Sequence, residues 1–454
     1  DKGKVFDYTA NRWFNFWSSV GVEQIFSELE NVITVNNSKD VEKDFYLNGI
    51  PFDHKTSVFP KKYPGDFKNA LEHKKGLIQW FYEHQSKQQR YHLKNRLFIV
   101  VYSTKPYFCN WRDSLERYYL GTSMNYIGSK NKLSTFLFET ITSVSGDLAH
   151  KTFCDLFAGT GIVGRIFKPH VGKVIANDVE FYSYVLNRNY IKNTEKVETE
   201  SLVQELNNLK GKKGFIFQHY AEGGTEGRIY FTSENGQKID AIRQQIEAWK
   251  TSSAISENTY YFLLASLLES ADKVANTASV YGAYLKKIKK SAAKELIIKP
   301  ALFAETETSH EAFQQDANTL IKKIEGDILY LDPPYNARQY GANYHLLNTI
   351  AKYDTFVPKG KTGLRDYYKS NYCKKGEVLK SFTALLENAN FNYIFLSYNN
   401  EGLMSQQDVE DAMKQFGDYN LATKKYQRFK ADKTENRNHK ATETVEFLHI
   451  LDKN

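Results

Sequence analysis

An acid, two prolines and a tyrosine follow one another at the end of a short apolar run, in the segment DILYLDPPYNARQY at residues 327–340. The run ILYL predicts a buried strand, and two successive prolines can neither continue a sheet ladder nor enter a helix. The chain must therefore turn rigidly and fix the Asp332 carboxylate and the Tyr335 ring at the end of that strand. Such a turn can hold a hydrogen-bond acceptor in the fixed position that catalysis would need. The alternative is a proline-terminated strand with a solvent-facing acid.

A glycine loop forms a second candidate site, because DLFAGTGIVG carries Asp155, Gly159 and Gly161 between a predicted strand and a predicted helix. Glycine lets the backbone approach a ligand closely, and a helix N-terminus favours polar or anionic groups. Asp178 follows about 20 residues later, at the end of the next predicted strand, where it can accept hydrogen bonds from ribose hydroxyls. The loop departs from G-x-G-x-x-G and its acid precedes the glycines. It therefore favours a nucleoside cofactor over a dinucleotide, with a simple tight turn as the alternative.

The amino-terminal segment EKDFYLNGIPFDHKTSVF carries acids and a lysine in a pattern suited to metal-assisted phosphodiester hydrolysis. Its NG pair predicts a hairpin, with Asp44 on the first strand and with Asp53 and Lys55 on one face of the second. Carboxylates hold a hard cation such as Mg²⁺, and a lysine can orient or activate the attacking water. Glu23, or alternatively Glu28, could add a ligand from a predicted helix. The alternative is an ordinary solvated hairpin.

The order of predicted helices and strands decides how these residues are positioned. From about residue 124 the chain alternates strand, loop and helix, which predicts a doubly wound α/β fold. Helical segments and a basic run interrupt this alternation, and strands return after them. The sequence divides into a smaller amino-terminal α/β domain at 1–105, a connector at 106–123, a first core half at 124–194, an insert at 195–310 and a second core half at 311–454.

Composition predicts a soluble globular protein with a lean toward polyanionic partners. Hydrophobic residues make up 41% and charged residues 25% of the chain, and the formal net charge is +8. A basic excess favours nucleic acid without requiring it. Neither a bilayer-spanning run nor a signal peptide is present, and the three cysteines show no metal-ligand spacing. We therefore expect no membrane partner and a reducing, cytoplasmic setting. The sequence begins at Asp1 rather than at methionine, which is consistent with further residues upstream.

Three motifs resemble, in their order, those of the α-class, Dam-like N6-adenine DNA methyltransferases. MNYIGSKNKL resembles the cofactor-binding segment that precedes the glycine loop, DLFAGTG the S-adenosylmethionine loop, and LDPPY the catalytic motif. The resemblance covers residues 124–454. It implies a Rossmann-like S-adenosylmethionine-dependent methyltransferase fold with an inserted target-recognition region, acting on double-stranded DNA.

The resemblance also implies cofactor contacts for individual residues. The methionine end of S-adenosylmethionine would be held by Tyr126 and Lys130. Its ribose would be bound by Asp178, and its adenine ring would contact Asp316. The residues that would shape the pocket are Asp155, Phe157, Gly159 and Gly161.

Through the same resemblance, the rigid DPPY turn has a chemical explanation. The exocyclic amine of adenine is a poor nucleophile because its lone pair is delocalised into the ring. The Asp332 carboxylate and the Pro333 carbonyl would accept its two hydrogens and free that lone pair. Tyr335 would stack on the base after it leaves the duplex. An aspartate at the first position of the motif favours adenine over N4 of cytosine.

The amino-terminal pattern resembles the PD-(D/E)xK nuclease core, although Lys43 stands where that motif has proline. The resemblance implies Asp44, Asp53 and Lys55 as catalytic residues, and Glu23, Asp44 and Asp53 as Mg²⁺ ligands. We therefore expect a bifunctional restriction–modification enzyme, in which a site-specific DNA adenine-N6 methyltransferase carries a Mg²⁺-dependent endonuclease domain. Alternatives are a methyltransferase with a non-cleaving amino-terminal DNA-binding domain, an inactive DNA-binding protein on a methylase scaffold, and an RNA or protein-glutamine methyltransferase. The sequence specifies neither the recognised DNA site nor the oligomeric state.

Overall fold

The structure is a computed structural model that describes residues 32–34, 45–47, 50–58, 63–64, 70, 74–85, 96–101, 130–427 and 443–453. The chain divides into two units, Asp1–Glu116 and Arg117–Asn454, and each unit has a sheet of its own. In the strands of the first unit the backbone alone is described.

The first unit contains a four-stranded mixed sheet. Its elements are β1 (Val32–Thr34), β2 (Phe45–Leu47), β3 (Ile50–Val58), α1 (Lys74–Gln85) and β4 (Arg96–Val101). β2 pairs antiparallel with β1 and with β3, and Leu47 lies opposite Ile50, which confirms the predicted hairpin. β3 pairs parallel with β4. A parallel pairing needs a crossover connection, and the segment between these two strands contains α1.

The second unit contains a seven-stranded sheet with the order β10-β11-β9-β8-β5-β6-β7. Its strands are β5 (Thr152–Asp155), β6 (Lys173–Asn177), β7 (Glu311–Phe313), β8 (Glu325–Leu331), β9 (Asn390–Asn399), β10 (Asp418–Gln427) and β11 (Glu443–Asp452). The five neighbouring strands β9, β8, β5, β6 and β7 are parallel to one another. β11 is antiparallel to both of its neighbours, β9 and β10. The strand order reverses between β5 and β8, and such a reversal opens a crevice for ligands.

Helices cover both faces of this sheet, as the predicted doubly wound fold requires. They are α2 (Ser134–Ser145), α3 (Ile162–Phe167), α4 (Phe181–Asn187), α5 (Glu200–Asn208), α6 (Phe215–Tyr220), α7 (Ser233–Thr251), α8 (Glu257–Lys273), α9 (Ala317–Leu320), α10 (Tyr340–Asn343), α11 (His345–Lys352), α12 (Val378–Asn388) and α13 (Gln406–Met413). One buried apolar cluster joins α2 and α3 to the sheet, and another joins α9, α12 and α13 to it. Among the residues described, no helix is long and apolar enough to cross a membrane.

The apolar run before the DPPY turn is buried on both faces. In β8, Ile328 and Tyr330 belong to the cluster of α2 and α3, whereas Leu329 and Leu331 belong to the cluster of α12 and α13. Side chains that alternate between two covered faces leave no position for a polar residue, so the strand is continuously apolar. The prediction of a buried strand that ends at Asp332 is confirmed.

The predicted insert does not have a core separate from the rest of the second unit. Its helices α5–α8 share one hydrophobic cluster with Tyr182 and Val185 of α4 and with Leu347 and Ile350 of α11. Thr232 and Ser256 cap the two longest of these helices by accepting backbone N–H groups. The insert is therefore packed directly onto helices that lie before and after it in the methyltransferase core.

Candidate active site

Three carboxylates meet at the carboxyl edge of the seven-stranded sheet. Asp155 ends β5, Asp178 follows β6, and Asp332 follows β8. Because these strands are parallel, their carboxyl ends lie at the same edge, beside the reversal of strand order. All three residues line one cleft, together with Lys130 and Asp316. The structure therefore brings together the glycine loop and the DPPY turn, which lie far apart in the sequence.

The glycine loop has a backbone shape that requires glycine. Gly159 and Gly161 have φ angles of +52° and +77°, and a Cβ on Gly161 would lie 2.6 Å from Asn187 Oδ1. Asn187 Nδ2 donates to the Gly159 carbonyl at 3.1 Å, and the Gly159 N–H donates to Asp178 Oδ2 at 2.8 Å. Burial raises the pKa of Asp178 to about 6, although hydrogen bonds from backbone N–H groups lower it. The loop and the predicted ribose-binding acid are thus held against each other.

Asp155 is a buried carboxylate with one unsatisfied oxygen. Its Oδ2 accepts the Gly164 N–H at 3.1 Å, whereas its Oδ1 has no hydrogen-bond partner among the residues described. Burial, and after it the negative charge of Asp332, raises the pKa of Asp155 to about 8. A buried acid next to other acids is stabilised by a cationic ligand. The cleft therefore suits the positive charge of S-adenosylmethionine.

Aromatic rings complete the cleft. Phe157 packs edge-on against Tyr372, with 5.0 Å between the ring centroids, and both residues line the cleft. Asp316 accepts the Thr319 N–H at 3.0 Å as the cap of α9 and accepts the Tyr368 hydroxyl at 2.6 Å. Sequence reasoning missed Tyr368 and Tyr372, because their segment has no motif. The predicted contact of Asp316 with the adenine ring stays a prediction.

The Asp332 carboxylate belongs to a network that reaches across the sheet. The Tyr335 hydroxyl donates to Asp332 Oδ1 at 2.6 Å, and Lys130 Nζ lies 3.1 Å from the same oxygen. Lys130 Nζ also contacts the Tyr335 hydroxyl and lies 2.9 Å from Glu446 Oε1. Glu446, fully buried on β11, accepts the Ser397 hydroxyl at 2.7 Å and the Tyr335 hydroxyl at 3.1 Å. Two carboxylates therefore share one ammonium group.

The charges of this network are set by opposing effects. Burial alone would lower the pKa of Lys130, but the carboxylates of Asp332 and Glu446 outweigh it and raise that pKa well above its usual range. Burial raises the pKa of Asp332, and the Lys130 ammonium opposes this effect. Burial and the adjacent carboxylates raise the pKa of Tyr335. Lys130 is therefore a cation, and Tyr335 is a neutral hydrogen-bond donor.

Two predicted residues have contacts that the sequence did not indicate. Lys130 lines the cleft, but its ammonium forms ion pairs with Asp332 and Glu446, so its predicted contact with the methionine end stays a prediction. The Tyr335 ring packs against Tyr398 at 5.1 Å and 74°, next to the buried Pro333. Sequence reasoning missed Glu446, and the one available signal was a lone acid inside the apolar strand segment VEFLHIL.

The side chains of five predicted site residues lie outside the described part of the chain. Tyr126, Glu23 and Asp44 fall outside the described ranges, and of Asp53 and Lys55 only the backbone on β3 is described. Among the side chains that the structure describes, no group of three or more His, Cys, Asp or Glu residues could hold a metal ion. The predicted Mg²⁺ site in the amino-terminal unit stays a prediction.

Comparison with known proteins identifies the family that this fold and cleft belong to. Residues 126–412 match the D12 class of N6 adenine-specific DNA methyltransferases, and the chain belongs to this family. It is 63% identical over 332 residues to the type II methyltransferase M.NlaIII of Neisseria lactamica, an alignment that covers 73% of this chain and 99% of that protein.

Two relatives with lower sequence identity are also named type II methyltransferases. The type II methyltransferase M.CviAII of Paramecium bursaria Chlorella virus 1 is 41% identical over 312 residues, which cover 68% of this chain and 93% of that protein. The type II methyltransferase M.FokI of Planomicrobium okeanokoites is 38% identical over 346 residues, which cover 73% of this chain and 53% of that protein. Among solved structures, the magnesium protoporphyrin IX methyltransferase of Synechocystis PCC 6803 aligns with a TM-score of 0.25 and 8% identity over 76% of this chain and 93% of that one. This last similarity is too low to carry a functional argument.

Proposed function

We propose that this protein is a site-specific type II DNA methyltransferase in which Asp332 activates the N6 amine of adenine for methylation by S-adenosylmethionine. One observation carries the proposal. The Asp332 carboxylate lies at the same cleft as the glycine loop, with the Lys130 ammonium 3.1 Å away. Membership of the adenine-specific D12 class and the names of the relatives support this reaction and a specific DNA site.

The residues of the cleft fit the predicted cofactor. Asp155 has a buried oxygen that lacks a partner among the described residues, and it would balance the positive charge of the methionine end. Asp178 would accept the ribose hydroxyls, and Phe157 and Tyr372 would border the adenine ring. Bound in this cleft, S-adenosylmethionine supplies a methyl group made electrophilic by a sulfonium. The residues of the chain then have to orient and activate the amine.

Asp332 and Pro333 are suited to that activation. The Asp332 carboxylate and the Pro333 carbonyl would each accept one hydrogen of the adenine amine, which draws the nitrogen toward tetrahedral geometry and frees its lone pair. The nitrogen gains a methyl group and gives up one proton, which the Asp332 carboxylate can accept. The pKa of this carboxyl is raised by burial, and a raised pKa makes it a better proton acceptor;.

The base must leave the duplex to reach this turn. Enzymes that modify a base atom extrude the nucleotide at a cost of a few kcal/mol, and stacking on an aromatic ring returns roughly 1–3 kcal/mol. Tyr335 is the ring of the catalytic motif, and Tyr398 packs against it. We propose that Tyr335 borders the extruded adenine and that the fully buried Tyr398 supports its ring.

The insert at 195–310 is our candidate for the target-recognition region. After α8 its chain carries exposed lysines at Lys286, Lys287 and Lys290. In the same segment the Tyr281 N–H donates to the Asn343 carbonyl at 2.8 Å, which joins the insert to α10, just after the DPPY turn. Lysines in this position suit contacts to DNA phosphates, which fix the register of a protein on the duplex without reading its sequence.

The test is a methylation assay on unmethylated plasmid with S-adenosylmethionine, followed by sequencing of methylated positions. We expect methylated adenines within one sequence motif. Asp332→Ala should abolish methyl transfer while calorimetry still detects S-adenosylmethionine binding, and Asp411→Ala, an exposed acid on α13, is the matched control. Full activity of Asp332→Ala would remove the catalytic assignment, and methylated cytosines would correct the base.

For residues 1–105 we propose a Mg²⁺-dependent endonuclease domain. The hairpin of β2 and β3 supports this, because its second strand carries Asp53 and Lys55 two residues apart. Asp44 and Glu23 would add carboxylate ligands for the metal. The alternative is a domain that binds DNA without cutting it.

Incubation of the same plasmid with Mg²⁺, with and without S-adenosylmethionine, tests this second function. We expect cuts in unmethylated plasmid at the same motif that the methyltransferase modifies. Asp53→Ala and Lys55→Ala should each stop the cutting without changing methylation. If the intact chain never cuts unmethylated DNA that contains its site, the nuclease proposal is wrong and the non-cleaving alternative remains.

A further inference from the structure

Glu446 is an acid at a buried position whose neighbours on the same strand face are apolar. It lies on β11, and its side chain is fully buried. Its neighbours on the same face, Leu448 and Ile450, belong to the apolar cluster of α2 and α3. A buried carboxylate costs several kcal/mol of desolvation unless it is paired and hydrogen-bonded. Its retention here therefore needs an explanation.

The contacts of Glu446 lead directly to the catalytic turn. Its Oε1 lies 2.9 Å from Lys130 Nζ and accepts hydroxyl groups from Ser397 at 2.7 Å and Tyr335 at 3.1 Å. Lys130 and Tyr335 are also the two side chains that bind Asp332, and both contact its Oδ1. Within the described part of the chain, Oδ2 of Asp332 therefore has no partner.

We propose that Glu446 is a positioning residue for methyl transfer, which shares Lys130 and Tyr335 with Asp332 so that the Asp332 carboxylate remains a strong acceptor for the adenine amine. This inference rests on the proposed role of Asp332. With Glu446 present, the Lys130 ammonium divides its charge between two carboxylates. Without it, Lys130 and Tyr335 would bind Asp332 alone and weaken that carboxylate as a hydrogen-bond and proton acceptor.

The pH dependence of the reaction gives this role a signature. Within the described ranges, six titratable groups interact electrostatically with the Asp332 carboxyl. They are Lys130 before α2, Asp155 at the end of β5, Tyr330 on β8, Tyr335 in the turn, Tyr340 on α10 and Glu446 on β11. Of these, Glu446 adds negative charge and so raises the pKa of Asp332, whereas Lys130 lowers it. A neutral residue at position 446 should therefore lower that pKa, and the acid limb of the rate profile should move to lower pH.

The experiment measures the single-turnover rate of methyl transfer to unmethylated plasmid, across pH, for the full chain and for Glu446→Gln. We expect the plateau rate to fall roughly ten- to a hundredfold, because glutamine is neutral and the ion pair with Lys130 is lost. We expect the acid limb to move to lower pH and the affinity for S-adenosylmethionine, by calorimetry, to stay within about twofold, since the cofactor half of the cleft is unchanged. Glu446→Asp, which keeps the charge but shortens the side chain, should move the acid limb less than Glu446→Gln does.

The control is His449→Asn on the same strand. His449 is also buried and also bonds a tyrosine hydroxyl, that of Tyr419 at 2.9 Å, but it has no contact with Asp332, Lys130 or Tyr335 among the contacts described. Its rate and acid limb should match the wild type.

Three results would overturn the proposal. A wild-type rate for Glu446→Gln would do so, and so would a reduced rate with an unmoved acid limb, which would indicate a role in folding only. If Glu446→Gln does not fold, Glu446→Asp decides. Its shorter side chain withdraws from Lys130 and Tyr335, so an unchanged rate would contradict the proposal. A reduced rate with an acid limb moved to lower pH and an unchanged S-adenosylmethionine affinity would support it. Asp332→Asn in the same assay separates the two hypotheses, because wild-type activity of that variant would remove the role of Asp332 itself.

Discussion

Lys130 forms an ion pair with Asp332 at 3.1 Å, and so joins the segment before the first core helix to the catalytic turn after β8. Both side chains are largely buried, with exposed fractions of 5% and 20%. The family resemblance implies that the segment around Lys130 binds the cofactor. In the structure, Lys130 instead contacts Asp332, the residue that the resemblance assigns to the target base. The ammonium therefore lies where the two halves of the reaction meet.

Replacement of Lys130 by methionine should destabilise the protein and shift its activity to higher pH. Two buried carboxylates would lose their common cation, and breaking a buried ion pair costs about 3–5 kcal/mol. The pKa of Asp332 would rise further above its unfolded value. The loss in free energy of unfolding should therefore be large at neutral pH and shrink as the pH falls and the carboxyls become protonated.

Urea unfolding at pH 5 and pH 7, together with the pH profile of the methylation rate, measures both effects of Lys130→Met. Lys414→Met removes an exposed ion pair with Glu410 at 2.6 Å and should change little;. Equal losses for the two variants would contradict the assignment of Lys130 to a buried network.

Gly161→Ala should weaken S-adenosylmethionine binding more than backbone strain alone explains. An alanine at a φ of +77° costs about 1–2 kcal/mol, and its Cβ would lie 2.6 Å from Asn187 Oδ1;. Gly223→Ala is the control, because its φ is +78° but a Cβ there would meet nothing within 4 Å. Calorimetry with S-adenosylmethionine and thermal unfolding should show a larger effect for Gly161→Ala in both measurements. Similar effects for the two variants would mean that the loop tolerates a side chain.

Binding of S-adenosylmethionine should release a proton near pH 7. The pKa of Asp155 is raised to about 8 without a ligand, so this carboxyl is mostly protonated at that pH. A cation near its unpartnered oxygen favours the charged form, which lowers the pKa and expels the proton. Affinity should therefore fall as the pH drops below about 8. Calorimetry in buffers of different ionisation enthalpy measures the release, and Asp155→Asn should abolish it. A pH-independent affinity in the wild type would show that Asp155 does not face the charge.

Tyr335→Phe and Tyr335→Ala should differ in what they lose. In the wild type the 2.6 Å hydrogen bond from Tyr335 lowers the pKa of Asp332. Phenylalanine keeps the ring but removes this bond, so the pKa of Asp332 should rise. The acid limb should then move to higher pH, and kcat should fall while KM for DNA stays close to wild type. Alanine also removes the stacking surface, worth roughly 1–3 kcal/mol per base, so its KM for DNA should rise as well. Identical kinetics of the two variants would exclude stacking on this ring.

The sequence alone predicts the parts of the site that depend on local chemistry. The buried strand before Asp332 is predicted by a continuous apolar run. The glycine loop is predicted by its glycines, which a chain needs where φ is positive or where other atoms approach the backbone closely;. The NG hairpin in the first unit follows from turn chemistry in the same way;. Each of these predictions uses residues adjacent in the chain.

The parts that could not be predicted depend on pairings between distant segments. Glu446 reaches the active site because β11 inserts between β9 and β10, and nothing within β11 specifies its neighbours. The partners of Lys130 were missed for the same reason. The shared core of the insert with α4 and α11 also went unpredicted, because an apolar helix face does not indicate which other face will cover it;.

The position of Glu446 on β11 has a consequence for the order of events during protein synthesis. The cofactor loop, the DPPY turn and six of the seven strands precede residues 443–452 in the chain, so they are synthesised first. A nascent chain without that strand lacks the second carboxylate beside Lys130. DNA-modifying activity should therefore stay low until the β10–β11 hairpin has closed against β9, so an unfinished polypeptide would mark DNA poorly.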